Sequence, residues 1–156
     1  MHKIAHSFSK YKIHTVKRRC QLQLSNLNDN NSKTNNDSTV LLIDDEKVVI
    51  EICEMMLLRL GHKVFKAYSG SEALKIFEAY GNQIDLIISD MFMPEMDGKE
   101  LVGELRKIDH HVKVLLSSGA ITDFDEEELV NRGFNGFLKK PYSMEVLSEK
   151  MAEILN

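Results

Sequence analysis

Three carboxylates carry most of the chemistry this sequence can support. Asp90 ends the run Ile84-Asp85-Leu86-Ile87-Ile88-Ser89, and Pro94 and Gly98 follow it. Asp44 and Asp45 end a second run, Thr39-Val40-Leu41-Leu42-Ile43. Short apolar runs bounded by turn residues read as strands buried on both faces. Proline lacks an N–H and glycine accepts any backbone angle, so both stop regular structure. Each acid then lies at the carboxyl end of a strand, the edge where open α/β sheets bind ligands. Alone, Asp90 reads as a turn cap as readily as a chemical group. If both runs are parallel strands of one sheet, Asp44, Asp45 and Asp90 converge. Crowded carboxylates raise one another's pKa unless a cation intervenes. A hard divalent ion resolves this, and Mg²⁺ typically takes one or two carboxylates plus waters and phosphate oxygens.

The elements that must position these acids alternate strand and helix. Val48, Val49, Ile52, Met56 and Leu60 recur at helical spacing, closed by Gly61. Lys63–Ala67 alternates as a short strand. Ser69-Gly70-Ser71-Glu72 has the capping-box pattern and opens a helix through Tyr80, ended by Gly81. Asp97-Gly98-Lys99-Glu100 opens a third helix, with Leu101, Val102, Leu105 and Ile108 inward. His111–Ser118 predicts a fourth strand. Asp123–Arg132 predicts a thinly anchored acidic helix held by Phe124, Leu129 and Val130. Gly136–Lys140 predicts a fifth strand, and Ser143 caps a last helix with Met144, Leu147, Met151 and Ile154 inward. Such alternation implies right-handed crossovers and a parallel sheet covered on both faces. The fold class is α/β, and five βα units suit the flavodoxin-like doubly wound sheet, whose order is 2-1-3-4-5.

Composition narrows the function classes. The chain has 156 residues, 43% hydrophobic and 28% charged, enough for one ordinary core. No apolar run approaches the roughly 18 residues of a membrane span. The net charge of −4 hides an asymmetry: Lys3, Lys10, Lys12, Lys17, Arg18 and Arg19 fall in the first 25 residues, with no acid among them. That leader lacks the apolar core of a secretory signal and any basic–aromatic platform, so no nucleic-acid partner is expected. Asn-rich residues 25–38 bury almost nothing and read as a disordered linker. The expected division is 1–37, leader and linker, and 38–156, folded domain. Cys20 and Cys53 make no disulfide framework and no metal spacing, which suits reduced thiols in a cytoplasmic protein. His2, His6 and His14 read as scattered and exposed. Neither Gly-x-Gly-x-x-Gly nor a Walker lysine motif is present, which disfavours nucleotide binding.

From about Ser38 to Asn156 the sequence resembles the receiver domain of two-component response regulators. The matching pieces are Asp44-Asp45, the block Asp90-Met91-Phe92-Met93-Pro94-Glu95-Met96-Asp97-Gly98, Ser118-Gly119 and Lys140-Pro141. Each is weak alone; all four in this order, each after an apolar run, are specific. The resemblance implies that Asp90 accepts a phosphoryl group from a phosphohistidine on a histidine kinase or phosphotransfer protein. It implies Mg²⁺ held by Asp45, Asp90 and the backbone carbonyl of Phe92, with Asp44 acting through water. Lys140 would meet the phosphate as a point charge, and the bond to Pro141 would be cis. Ser118 would donate its hydroxyl to a phosphoryl oxygen, with Ser117 as its rival. Phe137 stands where the family has a switch aromatic, and plain core packing explains it equally well. Lys139 should point away as a surface charge.

The expected behaviour is a phosphorylation switch read by a partner protein that the sequence does not identify, with no catalysis beyond self-phosphorylation and autodephosphorylation. One alternative is a metal-dependent phosphatase or phosphotransferase with an Asp nucleophile. Many of these carry a second Asp two residues on, where this chain has Phe92. Another is a passive interaction module on the same fold. Nothing resembles a helix-turn-helix, and no output domain is expected after Asn156. The domain then reads as a stand-alone receiver or one related to those of hybrid sensor kinases, which the Ser118-Gly119 and Gly136–Pro141 stretches resemble.

Overall fold

The computed structural model describes residues 37–119 and 126–156. The basic leader, Cys20, the amino-terminal histidines, most of the linker and Phe124 lie outside them. The elements are β1 (Thr39–Ile43), α1 (Lys47–Arg59), β2 (Lys63–Ala67), α2 (Gly70–Tyr80), β3 (Leu86–Asp90), α3 (Gly98–Ile108), β4 (Val114–Ser118), α4 (Glu126–Asn131), β5 (Gly136–Lys139) and α5 (Met144–Leu155). All pairings are parallel, in the order β2-β1-β3-β4-β5. This is the flavodoxin-like arrangement expected from the alternating pattern.

The central strands are the apolar runs. Val40 to Ile43, Leu86 to Ile88 and Val114 to Leu116 are buried almost completely, as strands covered on both faces must be. Edge strand β2 is the most exposed of the five, with both Lys63 and Lys66 at the surface. Register pairs Leu42 with Ile88, Ile88 with Leu115, and Asp90 with Ser117, so the carboxyl ends of β1, β3 and β4 finish level.

Helix caps follow local chemistry. Ser69 accepts from the Glu72 amide, but the Glu72 carboxylate returns to Tyr68, one residue before the cap. The full reciprocal box occurs instead on α3, between Asp97 and Glu100. Ser143 caps α5 as expected.

Four expectations need correction. In α1 the buried residues are Ile50, Ile52, Cys53, Met56 and Leu57, while Leu60 lies past the last turn. Residues 50, 53 and 57 form their own i+3, i+4 ladder, which a count begun at Val48 overlooks. Strand β4 begins at Val114 and not at His111, because the Asp109 carboxylate accepts the His111 amide and turns the chain there. Strand β5 ends at Lys139, although Lys140 still donates its amide to Ser118 at 2.9 Å. Ile108 and Val130, both expected inward, are exposed. Ile108 is the last residue of α3, and α4 packs through Leu129 alone of its expected described anchors.

Candidate functional site

The site is assembled from the ends of three strands. Asp44 follows β1 directly and is buried to 3% exposure. One of its oxygens accepts the Glu46 amide at 2.9 Å, and the other accepts from Lys140 Nζ at 2.6 Å. Asp90 closes β3. Its Oδ1 accepts from Lys140 Nζ at 2.7 Å, and its Oδ2 accepts the Phe92 amide at 2.8 Å. The turn-cap reading of Asp90 is therefore realised at one oxygen, while the other lies against Lys140. Lys140 follows β5 and crosses to both acids, and its bond to Pro141 is cis.

The loop after Asp90 is shaped by close approach. Gly98 donates its amide to the Met91 carbonyl at 2.9 Å. A Cβ on Gly98 would stand 2.7 Å from the Asp90 carbonyl oxygen, so a larger residue would push the end of β3 aside. Glu95 takes a φ of 67° in the same turn. The Asp97–Glu100 box then launches α3, which ties the loop to the helix behind it.

Charge and burial set the protonation chemistry. Burial pushes Asp44 above the usual carboxylate range, against the downward pull of Lys140. Burial does the same to Glu46, with the Asp44 charge adding to it. Burial by itself would depress Lys140, but Asp44 and Asp90 outweigh it and leave its pKa raised. A lysine so held stays charged, as a cation seated between two carboxylates.

The remaining predicted residues take these positions. Asp45 sits beside Asp44 but is exposed, and Phe92 stands 61% exposed at the mouth. Ser118 and Ser117 are both buried; Ser118 pairs with Lys139, and Ser117 pairs with Asp90. Phe137 is half-buried against the core, level with Leu116. Lys139 is exposed, turned away as expected. Sequence reasoning missed Tyr142, whose hydroxyl reaches Cys53 at 3.1 Å and Ser117 at 3.5 Å. Its only signal was its place two residues past Lys140.

An oxygen-only donor set at one sheet edge fits a hard cation such as Mg²⁺ in its chemistry. The expected meeting of three carboxylates is realised differently, however. Lys140 joins Asp44 to Asp90, and among the described residues no three His, Cys, Asp or Glu side chains are grouped to hold a metal as they stand.

A five-stranded doubly wound sheet with an acid pair, a further acid and a lysine at its carboxyl edge defines a flavodoxin-like domain built around an anionic site. The model of the response regulator receiver domain matches residues 40–152, and the chain belongs to that family, a part of two-component signalling systems. Sensor kinase CckA of Brucella abortus is 40% identical over 118 residues, which cover 76% of this chain and 12% of that protein. The crystal structure of a response regulator receiver domain protein from Clostridium thermocellum superimposes with a TM-score of 0.69 at 30% identity, over 76% of this chain and 94% of that one. The receiver domain from hybrid histidine kinase CckA gives 0.64 at 32% identity, over 76% and 100%. The chain spans between 12% and 50% of the length of curated relatives that it matches. Among the described residues no helix is long and apolar enough to cross a membrane.

Proposed function

We propose that residues 38–156 act as a cytoplasmic phosphoacceptor, with Asp90 taking a phosphoryl group from the phosphohistidine of a histidine kinase or phosphotransfer protein. Residues 1–37 are an attached leader and linker in this reading. The observation that carries it is Lys140 Nζ held at 2.6 Å from Asp44 and 2.7 Å from Asp90, a cation already placed where anionic oxygens would arrive. A carboxylate oxygen of Asp90 attacks phosphorus, a P–O bond forms, the P–N bond breaks, and the imidazole leaves with its electron pair. Such transfer depends on positioning and charge neutralisation more than on covalent help from the protein.

Asp45, Asp90 and the Phe92 carbonyl would hold Mg²⁺, with Asp44 acting through water; the ion would supply charge neutralisation at the transferring group. Lys140 would shift from its carboxylates onto a phosphoryl oxygen. Ser118 would donate its hydroxyl to another, drawing the loop after β4 toward the site. The modified group would carry about −1.5 to −2 charges where the free carboxylate carries −1, and three phosphoryl oxygens that can accept hydrogen bonds. The change would be read through α4 and Phe137 by a downstream protein partner with different affinity for the two states. No turnover beyond self-phosphorylation and autodephosphorylation is part of this reading.

The test is incubation of the full chain with an acyl phosphate and Mg²⁺, followed by intact mass. The expected result is one added phosphoryl group, lost in Asp90→Asn and in the presence of a chelator. An unmodified mass, or equal labelling of Asp90→Asn, sinks the reading.

A further inference from the structure

Lys140 has a long, flexible stem, so its ammonium is only as well placed as the backbone that carries it. On the amino side that backbone is fixed: the Lys140 amide donates to Ser118 at 2.9 Å. On the carboxyl side comes Pro141, which is exposed and has no N–H to donate. The first residue past Lys140 with an anchoring group is Tyr142. Its hydroxyl lies 3.1 Å from Cys53 Sγ on α1 and 3.5 Å from Ser117 Oγ on β4. Cys53 and Ser117 are 5% and 2% exposed, so their polar atoms need partners inside the protein. Burial pushes the Tyr142 phenol well above its ordinary range, with Cys53 adding to this, so the hydroxyl keeps its proton. Ser117 is also the residue paired with Asp90 across β3 and β4. The anchor is therefore fixed to the strand pair that carries the acceptor.

We propose that Tyr142 is a positioning residue for Lys140, its hydroxyl fastening the segment just past the lysine to α1 through Cys53 and to β4 through Ser117. The inference rests on the phosphoacceptor reading of Asp90. The Tyr142 hydroxyl bonds to Cys53 and Ser117 and not to Asp90, so it acts by holding the ammonium between Asp44 and Asp90. Sub-ångström placement matters in such a site, since a misplacement of about 1 Å can cost on the order of 100-fold in rate.

Tyr142→Phe removes one oxygen and keeps the ring. In the full chain with saturating Mg²⁺, it should slow labelling of Asp90 by an acyl phosphate about five- to twenty-fold. In a Lys140→Ala background the same change should alter the rate by less than about 1.5-fold, because residues acting through one another are not additive. The side-chain NMR signals of Lys140 should also move in Tyr142→Phe while those of Lys139 stay. An unchanged labelling rate, an equal slowing in both backgrounds, or unmoved Lys140 signals overturns the proposal. If Tyr142→Phe loses its circular dichroism, Ser117→Ala and Cys53→Ala carry the same comparisons. Labelling of the wild-type chain that Tyr142→Phe leaves untouched sinks only the positioning role. Failure of the wild-type chain to label at all removes the acceptor reading and this inference with it.

Discussion

Helices α3 and α4 flank the same strand, β4, yet they are held by very different means. Helix α3 has eleven residues, a reciprocal capping box, and Leu101, Val102 and Leu105 at 2% exposure or less. Helix α4 has six residues, with Leu129 at 4% and its neighbour Val130 at 65%. Its carboxyl end is the better-made part: Gly133, at a φ of 90°, turns the chain, and Phe134 is buried beyond it. Arg106 of α3 reaches across and donates to the Gly133 carbonyl. One helix is thus fixed along its length, and the other, among its described side chains, is held through Leu129 and at its carboxyl end, where its neighbour supplies a hydrogen bond. Segments with few buried apolar contacts open at lower free energy than the core. That is the property the proposed switch asks of α4 and not of α3, whose loop follows Asp90.

The comparison breaks first at the core. Leu105→Ala should cost about 2–5 kcal/mol in a denaturant melt, whereas Val130→Ala should stay within about 0.5 kcal/mol. Comparable losses at the two positions would show that α4 is packed as firmly as α3. A smaller effect tests the loop between Asp90 and α3. Gly98→Ala places a methyl 2.7 Å from the Asp90 carbonyl oxygen, and should cost about 1–3 kcal/mol and slow Asp90 labelling. A melt unchanged from wild type would mean the loop yields freely and does not tie α3 to the site. The smallest change has the opposite sign. Gly103 on α3 has nothing within 4 Å of an added Cβ, so Gly103→Ala should stabilise by about 0.5–1 kcal/mol through helix propensity. A loss there would mean that this face of α3 is covered in solution.

Much of this was legible in the sequence, and the reasons are local. Period and turn chemistry act over a few residues, so the strands ending in Asp44 and Asp90 could be read directly, as could the caps at Ser143 and Asp97. The same locality explains the errors. The Asp109 turn that shortens β4 competes with a strand pattern equally present in His111–Ser118. Val130 has an inward-looking spacing, but nothing in a six-residue window tells whether a helix so short has a surface to bury it against.

By itself, the sequence determined the class of sheet, the strand ends at which the acids fall, and the glycine that stops regular structure after Asp90. Only the tertiary structure decided that one lysine would sit between two of those acids, 96 and 50 residues away in the chain. It also decided that a tyrosine would reach a cysteine 89 residues earlier. The physical reason is range. Hydrogen-bonded turns and side-chain periodicity are settled between near neighbours, whereas a charge takes its position from strand order and register, which pair residues that no short window contains.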